Sequence, residues 1–167
     1  MKHWIAFVAL FVSCSAIAAE PYIGASWVRV AYKESGFDTA NPTALAVRVG
    51  AEVNPNLAVE GRLGVGLAED TVSGIDLEVD NFYGVYVRGL LPTGTITPYG
   101  LIGWTKGKLT ASAGGLSFSD SDSDLSYGVG LDAWVSKTVA LNAELGRLVK
   151  GDGYKADALS FGVAVKF

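Results

Sequence analysis

Seven charged residues of this chain stand where they could carry acid–base chemistry or bind ions. Each has an even number, and the odd-numbered positions beside it are mostly Val, Leu, Ala or Gly. An alternation with period two places the charges on one face of a β-strand and the apolar side chains on the other. Charges withdrawn from water are tolerated only when they are paired and hydrogen-bonded. The seven residues are Arg48, Glu52, Glu60, Arg62, Arg88, Asp132 and Glu144.

The first 19 residues have the layout of a secretory signal peptide. A basic start is followed by an apolar run from Trp4 to Val12, which is too short to span a membrane, and by small residues before Glu20. We expect cleavage after Ala18 or Ala19. The alternative is a poor lipoprotein site at Cys14. Residues 20–167 would then form a single barrel domain.

Removal of the signal peptide would remove the residue types that most often carry nucleophilic, acid–base or metal chemistry. Met1, His3 and Cys14 are the only Met, His and Cys of the chain. We therefore predict no catalytic residue, no metal site and no cofactor. The DSDSD run at 120–124 lacks the Gly and the closing Glu of an EF-hand, so we predict a solvated, mobile loop, with weak divalent-ion binding as the alternative. The excess of 17 acidic over 13 basic residues argues against a nucleic-acid partner.

The chain after residue 19 alternates in the manner of β-strands, and no stretch approaches the ~18 apolar residues that a membrane-spanning helix needs. Short turns at 53–56, 92–95 and 136–138 alternate with longer polar connections at 33–43, 69–76, 111–124 and 150–155. This arrangement predicts an all-β fold, an eight-stranded antiparallel transmembrane β-barrel with up-and-down topology. The predicted strands are 21–32, 44–54, 57–68, 77–91, 96–110, 125–135, 139–149 and 156–167.

Two kinds of barrel fit this pattern, and they differ in the face that meets water. In a soluble lipocalin-like barrel the polar face is outside and carries many charges. Here that face is dominated by Gly, Ala and Ser, which suit the crowded interior of a narrow barrel, so we favour a membrane barrel with its apolar face toward lipid. The seven charges then form an ion network that fills the lumen and fixes strand register. A gated path for small ions is the alternative, because eight strands leave no constant open pore.

The C-terminal stretch LSFGVAVKF (159–167) has apolar residues at every odd position. Such a strand would be an aggregation-prone edge in water, whereas in a barrel it pairs with the first strand. Its pattern of Ser160, Gly162, Val165 and Phe167 resembles the C-terminal signal that the outer-membrane barrel assembly machinery recognises. We therefore expect that machinery to be a partner.

The chain resembles the small OmpA-type outer-membrane β-barrel family across residues 20–167. The stretch PYIGASWVRVAY resembles the first strand of that family, and VGAEVNPNLAVEGRLGVG (49–66) resembles its second and third strands, with an inward Glu at Glu60. Arg88 and Asp132 match an interior basic and an interior acidic position. Asn142 stands where the family can carry an interior Arg. The resemblance implies a location in the outer membrane of a Gram-negative bacterium, after secretion to the periplasm.

The function that fits these features is non-enzymatic. We expect a monomer with a structural or surface role, in contact with outer-membrane lipid and lipopolysaccharide, whose loops 33–43 and 111–124 are available to a host or surface ligand. The first alternative is an adhesin or resistance-type binding module. The others are a lipid A-modifying enzyme, for which the expected catalytic His is missing from residues 20–167, and a small gated ion pore.

Overall fold

The computed structural model describes residues 19–34, 38–72, 74–151 and 154–167. The predicted signal peptide at 1–19 lies outside these residues apart from its last position, and it stays a prediction. The described residues form nine strands. They are β1 (Glu20–Glu34), β2 (Thr43–Asn54), β3 (Leu57–Ala68), β4 (Asp70–Val72), β5 (Ile75–Leu90), β6 (Ile96–Ala113), β7 (Leu116–Trp134), β8 (Val139–Gly151) and β9 (Tyr154–Lys166).

The strands close into an eight-stranded antiparallel barrel. Strands that follow one another in the sequence pair with each other, except that β3 and β4 both pair with β5, and β1 pairs with β9 from Tyr22–Lys166 to Glu34–Tyr154. The short β4 follows β3 after the single residue Glu69, and both pair with β5. The two therefore count as one of the eight strands of the barrel. The predicted fold class and up-and-down topology are therefore confirmed.

The apolar face of the wall points outward. Val49, Leu63, Val85 and Val129 are 51, 63, 65 and 63% exposed, whereas Arg48 on the opposite face of β2 is only 3% exposed. A continuous apolar surface around a closed barrel is unfavourable in water and favourable in lipid. The lipocalin-like alternative, which needs the apolar face inside, is therefore wrong.

The structure corrects our prediction of a loop at 111–124, which included the DSDSD run. β6 and β7 continue as a hairpin to Ala113 and Leu116, and the turn between them uses Gly114 and Gly115 at φ values of +57° and +83°. Glycine adopts these left-handed angles without steric cost. The aspartates at 120, 122 and 124 alternate with serines, so the run keeps the period of a strand although it lacks the apolar face we required.

The other long connections are also shorter than we predicted. Strand pairing extends into 69–76 through β4 and β5, and into 150–155 through β8 and β9. In the connection at 33–43, Tyr32 and Ala40 form an isolated bridge with N–O distances of 2.8 and 3.0 Å. Residues 35–37 of that connection lie outside the described residues. No helix that could cross a membrane occurs in the part of the chain that the structure describes.

Candidate functional site

Glu60 on β3 is the centre of a charged cluster inside the barrel. Its carboxylate accepts hydrogen bonds from the Tyr22 hydroxyl at 2.7 Å and from Arg62 Nε at 2.5 Å. Arg88 Nη1 on β5 lies 3.4 Å from the same carboxylate. The register pairs Glu60 with Tyr86, two positions from Arg88, so the arginine reaches the carboxylate as a diagonal neighbour.

Asp132 on β7 and Glu144 on β8 supply two more carboxylates from the other side of the lumen. Arg88 Nη2 donates to Asp132 at 2.7 Å, and Arg62 donates two hydrogen bonds to Glu144 at 2.5 and 2.8 Å. Each of these arginines therefore joins a carboxylate of β3 to one across the barrel. Both contacts are charge-assisted, and the bidentate pair of Arg62 and Glu144 is of the kind that is strong in proteins.

Arg48 on β2 is held more loosely. Its Nη1 lies 3.9 Å from Glu60 and its Nη2 lies 3.9 Å from Asp132, beyond hydrogen-bond distance. Its Nε and Nη2 find no hydrogen-bond partner among the described residues. Three arginines nevertheless face three carboxylates, so the formal charges of the cluster cancel. We call these six residues the lumen network: Arg48, Glu60, Arg62, Arg88, Asp132 and Glu144.

Polar and aromatic side chains complete the coordination of the lumen network. The Tyr99 hydroxyl donates to Glu144 at 2.8 Å, and Asn142 Nδ2 donates to Tyr99 and Asp132, both at 2.7 Å. The guanidinium carbon of Arg88 lies 3.8 Å from the centroid of the Tyr99 ring. We did not predict the roles of Tyr22 and Tyr99.

Glu52 does not belong to the lumen network, which corrects our prediction. It lies nearer the short turns, where Lys166 Nζ approaches Glu52 at 2.7 Å and Glu20 at 3.2 Å. Lys166 also lies 4.4 Å above the ring of Trp134. The parity of Glu52 is inward as predicted, but its height along β2 brings it to the rim of the barrel.

Glycines give the inward rings their space. A Cβ atom on Gly50 would lie 2.5 Å from Tyr22, and one on Gly130 would lie 2.4 Å from Tyr99. No real Cβ approaches so closely, so the two rings require glycine opposite them. Small residues on the inner face thus let a narrow lumen hold tyrosines and arginines together.

The lumen network fills the cross-section of the lumen and acts as a plug. Every carboxylate of the lumen network is engaged by an arginine, so none of them is left to act as a general base. Among the described residues, no cluster of three or more His, Cys, Asp or Glu side chains could hold a metal ion. The network crosses a lumen that eight strands make just wide enough for side chains.

Three residues of the expected assembly signal, Ser160, Gly162 and Val165, lie on both faces of β9, and Phe167 follows its last residue. Ser160 is buried at 7% exposure and Phe167 is 77% exposed, with its N–H donating to the Pro21 carbonyl at 3.0 Å. A Cβ on Gly162 would lie 2.2 Å from Ser26 Oγ, so packing against Ser26 also favours glycine at this position. Val165 is half-buried. Recognition of these residues by an assembly machine stays a prediction.

A groove of about 740 Å³ lies on the outer wall, where β7, β8, β9 and β1 run side by side. Arg147 Nε donates to Asp157 at 2.7 Å, and its Nη1 donates to the Tyr127 hydroxyl at 3.3 Å. Arg29 also lines the groove and forms no ion pair with the residues that the structure describes. The groove therefore carries a net positive charge next to the apolar belt that includes Leu145.

Comparison with known proteins identifies the family to which this architecture corresponds. The sequence pattern of the family described as the outer membrane protein beta-barrel domain matches residues 5–167. No curated protein matches the chain in sequence.

Several solved structures share the fold. Ail, the attachment invasion locus protein of Yersinia pestis, is 24% identical over 89% of this chain and 99% of that chain, with a TM-score of 0.70. Ail in complex with the heparin analogue sucrose octasulfate matches with the same identity and coverage and a TM-score of 0.67. Neisserial surface protein A is 18% identical over 88% and 97% of the two chains, with a TM-score of 0.67. The N-terminal β-barrel domain of Pseudomonas aeruginosa OprF is 12% identical over 89% and 99%, with a TM-score of 0.65. At these identities the likeness establishes the fold alone.

Proposed function

Because the chain belongs to the outer membrane protein beta-barrel domain family, we propose that it is a non-enzymatic surface protein whose extracellular hairpins are its interaction surface. The predicted family resemblance is confirmed at this level, and the protein is located in the bacterial outer membrane. We assign the short turns to the periplasmic side and the long hairpins to the outside, as in other outer-membrane barrels.

Strand length is the observation that carries the proposal. β6 and β7 have 18 and 19 residues, whereas β2 and β3 have 12 each. A tilted strand crosses the bilayer with about ten residues. The β6–β7 hairpin therefore extends well beyond the membrane, where another macromolecule can reach it.

The tip of this hairpin favours the adhesin-type alternative within the same surface role. Leu116 and Phe118 are 66 and 73% exposed there, outside the apolar belt. Large apolar side chains exposed together to water mark sites of contact with another macromolecule. An adhesin or resistance-type module would use this tip.

Attachment of whole bacteria tests the proposal. We expect a variant with residues 111–118 replaced by Asn-Gly to reach the outer membrane at normal levels, because the new two-residue turn would join the existing pair Thr110 and Ser119. The same variant should lose attachment to host cells or matrix proteins. Replacing Pro55 and Asn56 in a periplasmic turn by Asn-Gly is the matched control. Unchanged attachment of the trimmed variant contradicts the adhesin-type role, and altered lipid A acylation on overexpression contradicts a non-enzymatic role.

The charge at the extracellular end restricts the chemical class of the partner. Acidic side chains outnumber basic ones among the described residues of this end, so a sulfated polyanion such as the one bound to Ail would be repelled. We propose a partner with a basic or apolar surface. The acidic residues are Asp38, Glu69, Asp70, Asp76, Glu78, Asp80, Asp120, Asp122 and Asp124, and the basic ones are Lys33, Lys106, Lys108 and Lys155.

We also propose that the outer-wall groove binds the phosphate groups of lipopolysaccharide. Arg29 and Arg147 face outward at the upper edge of the apolar belt, where phosphates of the outer leaflet would lie. Lipopolysaccharide should raise the unfolding temperature of the monomeric barrel in vesicles, and Arg29→Gln with Arg147→Gln should abolish the rise. Lys137→Gln in a periplasmic turn is the control. A rise that persists in the double variant contradicts this contact.

The assembly machinery remains a proposed partner. Deletion of Phe167 should lower the amount of barrel in the outer membrane of cells but leave refolding in detergent nearly intact, because the side chain is 77% exposed. Normal outer-membrane levels of this deletion would contradict recognition of the terminal residue.

A further inference from the structure

The extracellular half of the lumen contains an apolar cavity of about 410 Å³, which we call the cup. Val30, Val79 and Phe82 line it and are 3, 4 and 6% exposed, and Leu109 and Leu148 pack against them. A cavity of this size is within the range of sites for small organic molecules. Its walls would gain dispersion contacts when an apolar group filled it.

The cup is closed at its base. Thr105 lines it and joins a buried chain of hydroxyl groups, with Tyr86 Oη at 2.5 Å and Ser126 Oγ at 2.6 Å from Thr105 Oγ1. Ser126 also donates to the Leu148 carbonyl. Thr105 and Ser126 are each 1% exposed, and Arg62 of the lumen network lies 4.6 Å from the centroid of the Tyr86 ring, next to this chain of hydroxyl groups. A molecule that enters the cup from outside would therefore be held there rather than conducted.

The mouth of the cup is negatively charged. Asp120, Asp122 and Lys108 are its charged lining residues. Lys108 Nζ lies 2.7 Å from Asp80, so that charge is already neutralised. Asp122 accepts a hydrogen bond from the Tyr154 hydroxyl, which leaves its negative charge in place.

An aromatic pair stands beside these carboxylates. The rings of Tyr32 and Tyr154 stack with their centroids 6.0 Å apart, and both residues line the cup. Aromatic faces attract cations, and more strongly when neighbouring carboxylates add their charge. The mouth thus favours a positive group directly above an apolar cavity.

We propose that the cup binds a small amphiphilic cation, an amine or quaternary ammonium whose apolar body fills the cavity while its charge lies at Asp120 and Asp122. The lining supplies both halves of this chemistry, and the closed base makes the site a receptor rather than a channel. This inference goes beyond the proposed surface role and does not depend on attachment through the hairpin tip.

Binding of benzyltrimethylammonium to the barrel in lipid nanodiscs tests the proposal, with the backbone amide resonances of Val79, Leu109 and Leu148 as reporters. Nanodiscs avoid competition from detergent, and empty nanodiscs correct for partitioning into lipid. We expect saturable shifts of these resonances. The double variant Asp120→Asn, Asp122→Asn should weaken binding of the cation at least tenfold and change binding of the neutral isostere neopentylbenzene less than twofold.

Two further variants complete the test. Asp76→Asn removes a carboxylate that accepts a hydrogen bond from Thr71 and does not line the cup, so it should leave the affinity unchanged. Ala156→Leu narrows the cup and should weaken both probes. Absence of saturable shifts, equal loss of the cation and the isostere in the double variant, or full binding in Ala156→Leu would each overturn the proposal.

Discussion

The two halves of the lumen are built from the same alternating strands but hold opposite chemistry. The periplasmic half is filled by the lumen network, in which charge, hydrogen bonds and rings leave little space. The extracellular half is lined by aliphatic and aromatic side chains around the cup. The β-barrel therefore fixes only which residues point inward, and the identity of those residues decides whether a section of the lumen is a plug or a receptacle.

The largest expected effect is in the plug. Glu60→Ala should lower the free energy of unfolding by about 3–5 kcal/mol, because Arg62 and Arg88 would lose the carboxylate that both contact. Denaturant unfolding of the barrel in lipid vesicles measures this loss. Glu52→Ala at the periplasmic rim should cost no more than about 1 kcal/mol. Equal losses in the two variants would mean that the lumen network is no tighter than the rim.

Packing around the tyrosines of the plug gives the next effect. Gly50→Ala should destabilise the barrel by about 1–3 kcal/mol, because the new Cβ would lie 2.5 Å from the Tyr22 ring. The control is Gly61→Ala, where the nearest atom to a new Cβ is 4.0 Å away. The same vesicle unfolding experiment applies. If the control is as harmful as Gly50→Ala, strand flexibility rather than crowding explains the requirement for glycine.

The wall of the cup should be more tolerant. Val79→Ala removes two buried carbons and should cost about 1.5 kcal/mol. Val135→Ala, in a short turn where the side chain is 62% exposed, should change stability by less than about 0.5 kcal/mol. A loss at Val79 that equals the loss at Glu60 would show that the two halves of the lumen are equally tightly packed.

The smallest effect concerns pH at the mouth of the cup. The hydrogen bond to Asp122 raises the pKa of Tyr154 to about 12, above the value of about 10 for an unfolded chain. The folded state thus holds this proton more tightly, so the contribution is full below about pH 10 and is lost as the pH rises through about 12. Ultraviolet difference titration of the wild-type protein against Tyr154→Phe isolates this group. Asp122→Asn should lower the pKa of Tyr154 from this raised value, and an unchanged late titration in that variant would exclude the contact.

The barrel could be predicted from the sequence because successive side chains along each strand face lipid and lumen in turn, which gives a pattern with a period of two. Alternation of Val47 and Val49 with Arg48 in β2, and of Val59 and Leu63 with Glu60 and Arg62 in β3, assigned the two faces of these strands correctly. The extension of the β6–β7 hairpin was not predicted because its polar residues carry no apolar face. The strand pairing that holds Asp120 in place comes from the partner strand, which a local pattern does not show.

The sequence predicted which way the charged side chains of the site point, but not which residues they contact. Parity pointed Glu60, Arg62 and Arg88 into the lumen. It did not give their heights, and this is why Glu52 was wrongly grouped with them. The cup was also not predicted, since the valines at 30 and 79 gave no sign that their side chains would leave a cavity between them. In β5 a register shift between Val79 and Asn81 reverses the parity, so Val79 points inward at an odd position.

Closure of the wall by β1 and β9 has a consequence for how the protein must form. Ile23 pairs with Val165, so the first membrane strand acquires its second neighbour only when nearly the whole chain has been delivered. Until then both of these strands present unpaired backbone groups, and contacts this distant in sequence are slow to form. The chain should therefore cross the periplasm unfolded and under escort, and insertion should be a concerted event that no half-length fragment can complete.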